Sequence, residues 1–460
     1  MLHIRRKGLI LLEKWRIKKG RKPLVLRGAR QVGKTTLVRD FSKSYSQFIS
    51  LNLELAADKK LFSDDMDVVA LMQRLTIRES IKPDWENTLL FIDEIQEVPD
   101  AIQLLRYFYE QFPELSVIAA GSLLEFALGS VRSFPVGRVE FQYLHPLSFE
   151  EYLIALDKQQ AIDAMKQMPV PDYAVDELHK QFNLYCLLGG MPEVLARYRD
   201  DGNVFNIQQI YESIWKSYQN DVEKYGGNTS AKQMIRFVLT NAPASFDQRI
   251  TFQNFGQSTY RSREIGEAFR QLHDTGLLQL IYPTTDVKTP LIPDYKKSPR
   301  MQFLDSGLLV HRIGILAELI GLEDLSDSAR GALIPHCVFQ ERIAIQDYAD
   351  SSPFFWVREK SQSSAEVDLI IQRGSLIIPV EIKSGSIGKL RSLHAFMDQS
   401  PATLAIRLHQ GKASVDEVKT TSGKVYSLLS LPYFLAASLE NYIENWRNED
   451  GNSWKLISCF

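Results

Sequence analysis

The side chains best placed to do chemistry fall into three groups, and all three suit phosphates or divalent cations. The first is Gly28-Ala29-Arg30-Gln31-Val32-Gly33-Lys34-Thr35, followed by Thr36, a full match to G-x-x-x-x-G-K-[ST]. Glycines at 28 and 33 let the backbone bend around an anion, so that successive amide N–H groups and the start of a helix point at a polyphosphate. In such a loop Lys34 reaches the β- and γ-phosphates of ATP, and Thr35 sets a hydroxyl on Mg²⁺.

The second group closes the apolar run Leu89-Leu90-Phe91-Ile92 with Asp93 and Glu94. Asp93 is expected to hold the Mg²⁺ shell, and Glu94 is the candidate general base that polarises the attacking water. Ser122 follows the run Ser116 to Ala120 and Gly121, a position from which a polar side chain contacts the γ-phosphate or the water. The third group lies on a hairpin, Glu366 to Lys383, with its turn at Gly374-Ser375. Asp368 is near the start of one strand, while Glu381 and Lys383, two apart, share a face of the other. An acid opposite Glu-x-Lys is the catalytic pattern of restriction-endonuclease-like nucleases, and Glu341 occupies a suitable place for the further acid. Asp368, Glu381 and Glu341 would then give hard oxygen ligands to a second Mg²⁺, and Lys383 would orient the attacking water.

Positioning these groups requires particular elements. A buried strand at Leu24-Val25-Leu26 enters the glycine loop and a helix from Thr35 to Phe41 leaves it. Apolar strands at 89–92 and 116–120, with a helix from Ala101 to Phe112 between them, predict an α/β domain with a parallel sheet whose ligand site lies outside the strands' carboxyl ends. From about residue 148 the pattern turns helical, with Phe149, Tyr152 and Leu153 at helix spacing and a second run from Leu178 to Leu188; Gly226-Gly227-Asn228 marks a boundary. A helix over Arg263 to His273, a strand over Leu277 to Tyr282 and a proline-rich return suggest a winged-helix unit. Arg261, Arg263 and Arg270 would serve DNA phosphates there, with protein contacts as the other reading.

Taken together, Gly28 to Thr35, Asp93-Glu94-Ile95-Gln96, Ala120-Gly121-Ser122, Gly137-Arg138, Pro146 to Tyr152 and Gly189-Gly190-Met191-Pro192-Glu193 resemble the prokaryotic AAA-type ATPases. The resemblance runs from about residue 10 to 390 and also covers the phrase Met301 to Leu309. It implies a P-loop NTPase core over 1–147, a helical lid and connector over 148–225, a winged-helix-like domain over 226–325 and a restriction-endonuclease-like domain over 326–460. It implies ATP and Mg²⁺ as cofactors and an arginine that completes the site in cis or in trans, for which Arg138 is the candidate. The leading expectation is an ATPase that couples nucleotide state to a DNA- or protein-binding C-terminal half. A DNA nuclease gated by ATP and a nucleotide-dependent signalling switch, with a protein partner or self-association, stand as alternatives.

Composition narrows the classes. With 460 residues, 54 Lys plus Arg against 56 Asp plus Glu and a net charge of -2, there is room for several domains and no global basic signature of nucleic-acid binding. Ten basic residues stand before Gly28 against the single acid Glu13, a pattern read as a solvated helix face with Leu9, Leu12 and Ile17 on its buried side, with a nucleic-acid or partner contact as the alternative. Cys186, Cys337 and Cys459 are too far apart to suggest a metal knuckle, and read as reduced thiols. No apolar run approaches the roughly 18 residues of a membrane span and no signal core follows the N-terminal basic residues, so the expectation is a cytoplasmic protein with no membrane partner.

Overall fold

The computed structural model describes residues 6–62, 67–122, 124, 135, 137–225, 228–246, 248–316, 329–346, 353–358, 365–383 and 390–448. The boundary glycines Gly226 and Gly227 and the thiol of Cys459 lie outside these residues. The chain divides into two compact units. One is Met1–Pro146 with Asp274–Leu277 and Gln346–Asp350, and the other is Leu147–His273, Leu278–Ile345 and Ser351–Phe460.

The first unit is built on five strands, Leu24–Arg27 (β1), Gln47–Asn52 (β2), Thr88–Asp93 (β3), Ser116–Ala120 (β4) and Glu140–Tyr143 (β5), in the order β2-β3-β4-β1-β5. All neighbours are parallel. Every residue of β3 and β4 is buried, which is what continuous apolar runs require inside a sheet covered on both faces. Because β4 lies between β1 and β3, the residues after its carboxyl end fall between the glycine loop and the acids of β3. Helix Pro99–Gln111 buries Ala101, Ile102, Leu105 and Phe108, one apolar stripe at helical spacing. Helix Val68–Arg78 starts where the Asp67 carboxylate accepts from the Ala70 N–H, and it turns Val68, Leu71, Met72 and Leu75 inward.

At the N-terminal end, helix Lys7–Arg16 buries Gly8, Leu12 and Trp15. Ile17, expected on that buried side, is 81% exposed, because the helix ends at Arg16 and the next residue leaves its apolar stripe. Some of the basic side chains nearby are structural. Lys18 pairs with Glu140 at 2.8 Å, and Arg21 donates to the Glu114 carbonyl at 2.5 Å.

The second unit opens with helix Phe149–Ala155, closed at its start by a reciprocal capping box between Ser148 and Glu151. Helices Asp172–Leu188, Pro192–Asp201, Gln208–Tyr225, Thr229–Asn241 and Ser262–Asp274 follow, then Leu278–Ile281 (β6) pairs antiparallel with Arg300–Phe303 (β7). After helices Ser306–Ile313 and Ala329–Ala344 come Phe354–Val357 (β8), Glu366–Arg373 (β9), Leu376–Ile382 (β10), Leu404–His409 (β11), Ser414–Lys419 (β12) and Val425–Pro432 (β13). They form one mixed sheet, β12-β13-β11-β10-β9-β8. The pairs β8/β9, β9/β10 and β12/β13 are antiparallel, while β10/β11 and β11/β13 are parallel. Helix Arg391–Met397 lays Leu393, Phe396 and Met397 into a core with Trp356, Val367 and Ile370.

Two glycines, Gly190 and Gly307, belong to packing. A Cβ at Gly190 would sit 2.2 Å from the Leu147 carbonyl oxygen, and one at Gly307 would sit 2.2 Å from the Tyr211 hydroxyl. Between them the buried Asp305 carboxylate accepts from the N–H groups of Gly190 at 2.6 Å and Leu308 at 2.9 Å and from the Tyr211 hydroxyl at 2.9 Å. Burial pushes this carboxyl up from its ordinary value while those donors pull it back. Among the described residues no helix is long and apolar enough to cross a membrane.

Candidate nucleotide site

The glycine loop leaves β1 and turns into helix Lys34–Phe41 through backbone conformations that favour glycine. Gly28 has φ 143 and Gly33 has φ 96, while Gln31 takes φ 62 despite its side chain. A Cβ on Gly28 would lie 2.2 Å from the Leu144 carbonyl oxygen, so the position accepts no larger residue without movement. One contact that sequence reasoning missed fixes the outer side of the loop. The buried Arg6 guanidinium donates to the carbonyls of Val32 at 3.0 Å and His145 at 2.7 Å. In the sequence Arg6 is one of ten basic residues, and nothing local sets it apart.

Inside the loop the Lys34 ammonium donates to the carbonyls of Gly28 at 2.8 Å and Ala29 at 2.9 Å. Ala29 and Val32 are buried, whereas the side chains of Gln31 and Thr36 are exposed and that of Arg30 is half-buried. Burial lowers the Lys34 ammonium to about 8, against the pull of Glu94 and Asp93, which raise it, and with Arg30 adding to the lowering. Thr35 Oγ1 donates to Asp93 Oδ2 at 2.7 Å, bringing a hydroxyl of the loop helix and a carboxylate of β3 to one point. These are two hard oxygen donors of the kind a Mg²⁺ shell uses, so the residues present fit that ion. Burial pushes the Asp93 carboxyl up, and the Thr35 hydrogen bond opposes it.

Glu94 sits in the left-handed region at φ 52, a strained setting for a residue with a side chain and one that recurs at functional sites. Its Oε2 accepts from Gln96 Nε2 at 2.5 Å and from Ser122 Oγ at 3.4 Å. Ser122 is therefore brought to Glu94 as the strand order requires. Gln96 is a second residue with no role assigned from sequence. Its Oε1 is buried without a hydrogen-bond partner among the described residues, and a Cβ at Gly121 would meet that oxygen at 2.4 Å. Arg138, the candidate arginine, pairs with Glu110 at 3.1 Å on an exposed surface and lies 5.8 Å from the centre of the Tyr109 ring.

A pH dependence follows from Lys34. An anion requires the ammonium, and the free protein gives up that proton at about 8, so nucleotide binding takes up a proton above that pH. ATP affinity is expected to be flat below pH 7 and to fall by about tenfold per pH unit well above 8. Calorimetry in two buffers of different ionisation enthalpy measures the proton uptake directly.

The C-terminal hairpin brings together part of the expected set. Asp368 is on β9, Glu381 is on β10, and Lys383 Nζ lies 2.6 Å from Glu381 Oε1. Burial, then the Asp368 charge, pushes the Glu381 carboxyl up to about 7, with Lys383 and Arg300 opposing. Glu341 is not part of this cluster. Its Oε1 accepts from the Phe149 N–H at 2.7 Å and lies 2.9 Å from the Tyr185 hydroxyl, because helix Ala329–Ala344 turns that acid into a buried core. Among the described residues no group of three His, Cys, Asp or Glu side chains is placed to hold a metal ion, so the expected ligand trio Glu341, Asp368 and Glu381 does not assemble. On helix Ser262–Asp274, Arg263 pairs with Glu267 at 3.0 Å and Arg270 is exposed, while Arg261 is exposed just before the helix.

Comparison with known proteins adds to this geometry. Residues 20–153 match the AAA domain family, residues 179–319 a domain of unknown function (DUF8612), and residues 330–432 a further domain of unknown function (DUF4143). No curated protein shows a significant match to the chain. Among solved structures, a Walker-type ATPase of Pyrococcus abyssi is similar, at 12% identity, 68% of this chain and 96% of that one, with a TM-score of 0.43. C. elegans PCH-2 is similar at 13% identity, 41% of this chain and 58% of that one, TM-score 0.27. A Signal Transduction ATPase with Numerous Domains from Pyrococcus horikoshii, carrying a tetratricopeptide repeat sensor, is similar at 13% identity, 75% of this chain and 48% of that one, TM-score 0.27. The chain thus spans about half the length of these last two. The stretch 20–153 that matches the AAA domain family contains the complete glycine loop and the Asp93-Glu94 pair.

Proposed function

We propose that the protein binds ATP with Mg²⁺ at Gly28 to Thr36 and hydrolyses it, Glu94 polarising the attacking water. The observation that carries this reading is the cluster itself. Lys34, Thr35 with Asp93 2.7 Å away, and Glu94 held by Gln96 and Ser122 supply a phosphate cradle, a cation shell and a base in one place. Ser122 orients Glu94 or the water. The second unit reads the nucleotide state by binding DNA or a protein partner. Three features support the proposed divisions at 148–225, 226–325 and 326–460. They are a helical run from Phe149, a helix followed by the antiparallel pair β6/β7, and a helix-β8-β9-β10-helix-β11 order of the nuclease-like kind.

Phosphate release from ATP by the full chain tests the hydrolytic step. Release is expected with Mg²⁺ and to fall to the level of a protein-free blank when the ion is chelated, since Thr35 and Asp93 then have nothing to hold against the phosphates. No release above the blank with Mg²⁺ present rejects the assignment.

A further inference from the structure

We infer that the C-terminal hairpin carries its own cation: Arg300 stands where a restriction-endonuclease-like site would place a divalent ion, so this site binds no metal and cuts no phosphodiester. The guanidinium comes from β7. It lies 3.1 Å from Asp368 Oδ1, donates to the Asp368 carbonyl at 3.2 Å and pairs closely with the Glu366 carboxylate. Its carbon sits 4.6 Å from the centre of the Phe355 ring, and its side chain is only 23% exposed. A planar fork of donors on two carboxylates with an aromatic face behind it is strongly held, and it keeps its charge at any accessible pH.

The neighbouring groups pair all but one of the remaining carboxylate oxygens; among the described residues Glu381 Oε2 is buried without a hydrogen-bond partner. Asp368 Oδ2 is taken by the Ile382 N–H at 2.9 Å, Glu381 Oε1 by Lys383 at 2.6 Å, and Glu366 Oε2 has Arg249 at 3.6 Å. Three carboxylates, Glu366, Asp368 and Glu381, therefore face three cations, Arg249, Arg300 and Lys383. A divalent ion gains little from a cluster that is already balanced, and to enter it must displace a buried guanidinium from both of its acids. The further acid that could have tipped the balance, Glu341, is committed to Phe149 and the Tyr185 hydroxyl elsewhere in the unit.

Mn²⁺ binding to the nucleotide-free full-length protein, counted by electron paramagnetic resonance, tests this apart from ATP turnover. The native chain and Glu381→Gln are expected to bind the same number of ions, the hairpin contributing none. Arg300→Gln is expected to gain one ion per chain, at least tenfold tighter than any native binding, and Glu381→Gln added to it should remove that ion. Arg300→Lys, which keeps the charge, should gain none. A native Mn²⁺ site that Glu381→Gln abolishes overturns the inference, as does a folded Arg300→Gln protein that gains nothing. Should Arg300→Gln not fold by near-ultraviolet circular dichroism, the comparison of the native chain with Glu381→Gln decides alone. ATP hydrolysis in Glu381→Gln should equal that of the native chain, so a failure here is distinguishable from a failure of the nucleotide assignment.

Discussion

Glu94→Gln is expected to lower ATP turnover by about 10²- to 10⁴-fold while leaving ATP bound, the range typical of losing a positioned general base. The substitution keeps the shape of the side chain and removes only its ability to draw a proton from water. The backbone around it has no reason to change, because the strained φ of 52 belongs to the turn after β3 and Asp93 still accepts from the residue 94 N–H at 3.1 Å. Gln96 donates at 2.5 Å to the oxygen that carries the effect, so the carboxylate is held in one orientation before any substrate arrives. Single-turnover phosphate release measured beside retention of labelled ATP separates the two properties. Turnover within threefold of the native rate would remove Glu94 from the chemical step.

The second large effect is expected on binding. Lys34→Ala deletes the one ammonium buried within the loop and leaves the Gly28 and Ala29 carbonyls, now 2.8 Å and 2.9 Å from it, without that donor. A hydrogen bond to a charged group contributes about 1.5–3 kcal/mol, and a γ-phosphate takes at least one such bond from a P-loop lysine. The expected loss is therefore at least about tenfold to a hundredfold in ATP affinity. Stability should fall far less than affinity, because burial already disfavours the lysine charge in the free protein and lowers it to about 8. A fluorescent ATP analogue titrated into both proteins, with thermal melts of each, measures the two quantities. Equal affinities would mean that the phosphates sit elsewhere.

What could be read from the sequence is local. The glycine loop needs only a strand before it and a helix after it, and both lie within twenty residues, so the motif announced its own setting. The same holds for Asp93-Glu94 at the end of a fully apolar strand. Arg6 could not be read, since its partners Val32 and His145 are 26 and 139 residues away and its type is common in that segment. Gln96 is close in sequence to Glu94, yet its role depends on the turn that folds it back toward Gly121. Ile17 was misplaced because helix periodicity extends past a helix end that propensity does not mark. Glu341 was misassigned for a related reason. Spacing puts it on a helix before the hairpin, but the face it occupies is set by Phe149 and Tyr185, which belong to other helices. Arg300 lies 68 residues from Asp368, and only the pairing of β6 with β7 and the packing beneath the hairpin bring it there.

The most direct test of the central claim is a calorimetric titration of ATP and Mg²⁺ into full-length protein carrying Glu94→Gln, where hydrolysis does not blur the signal. One saturable site per chain, with a proton uptake that grows above pH 8, is the predicted result. A flat titration with folded protein would contradict it.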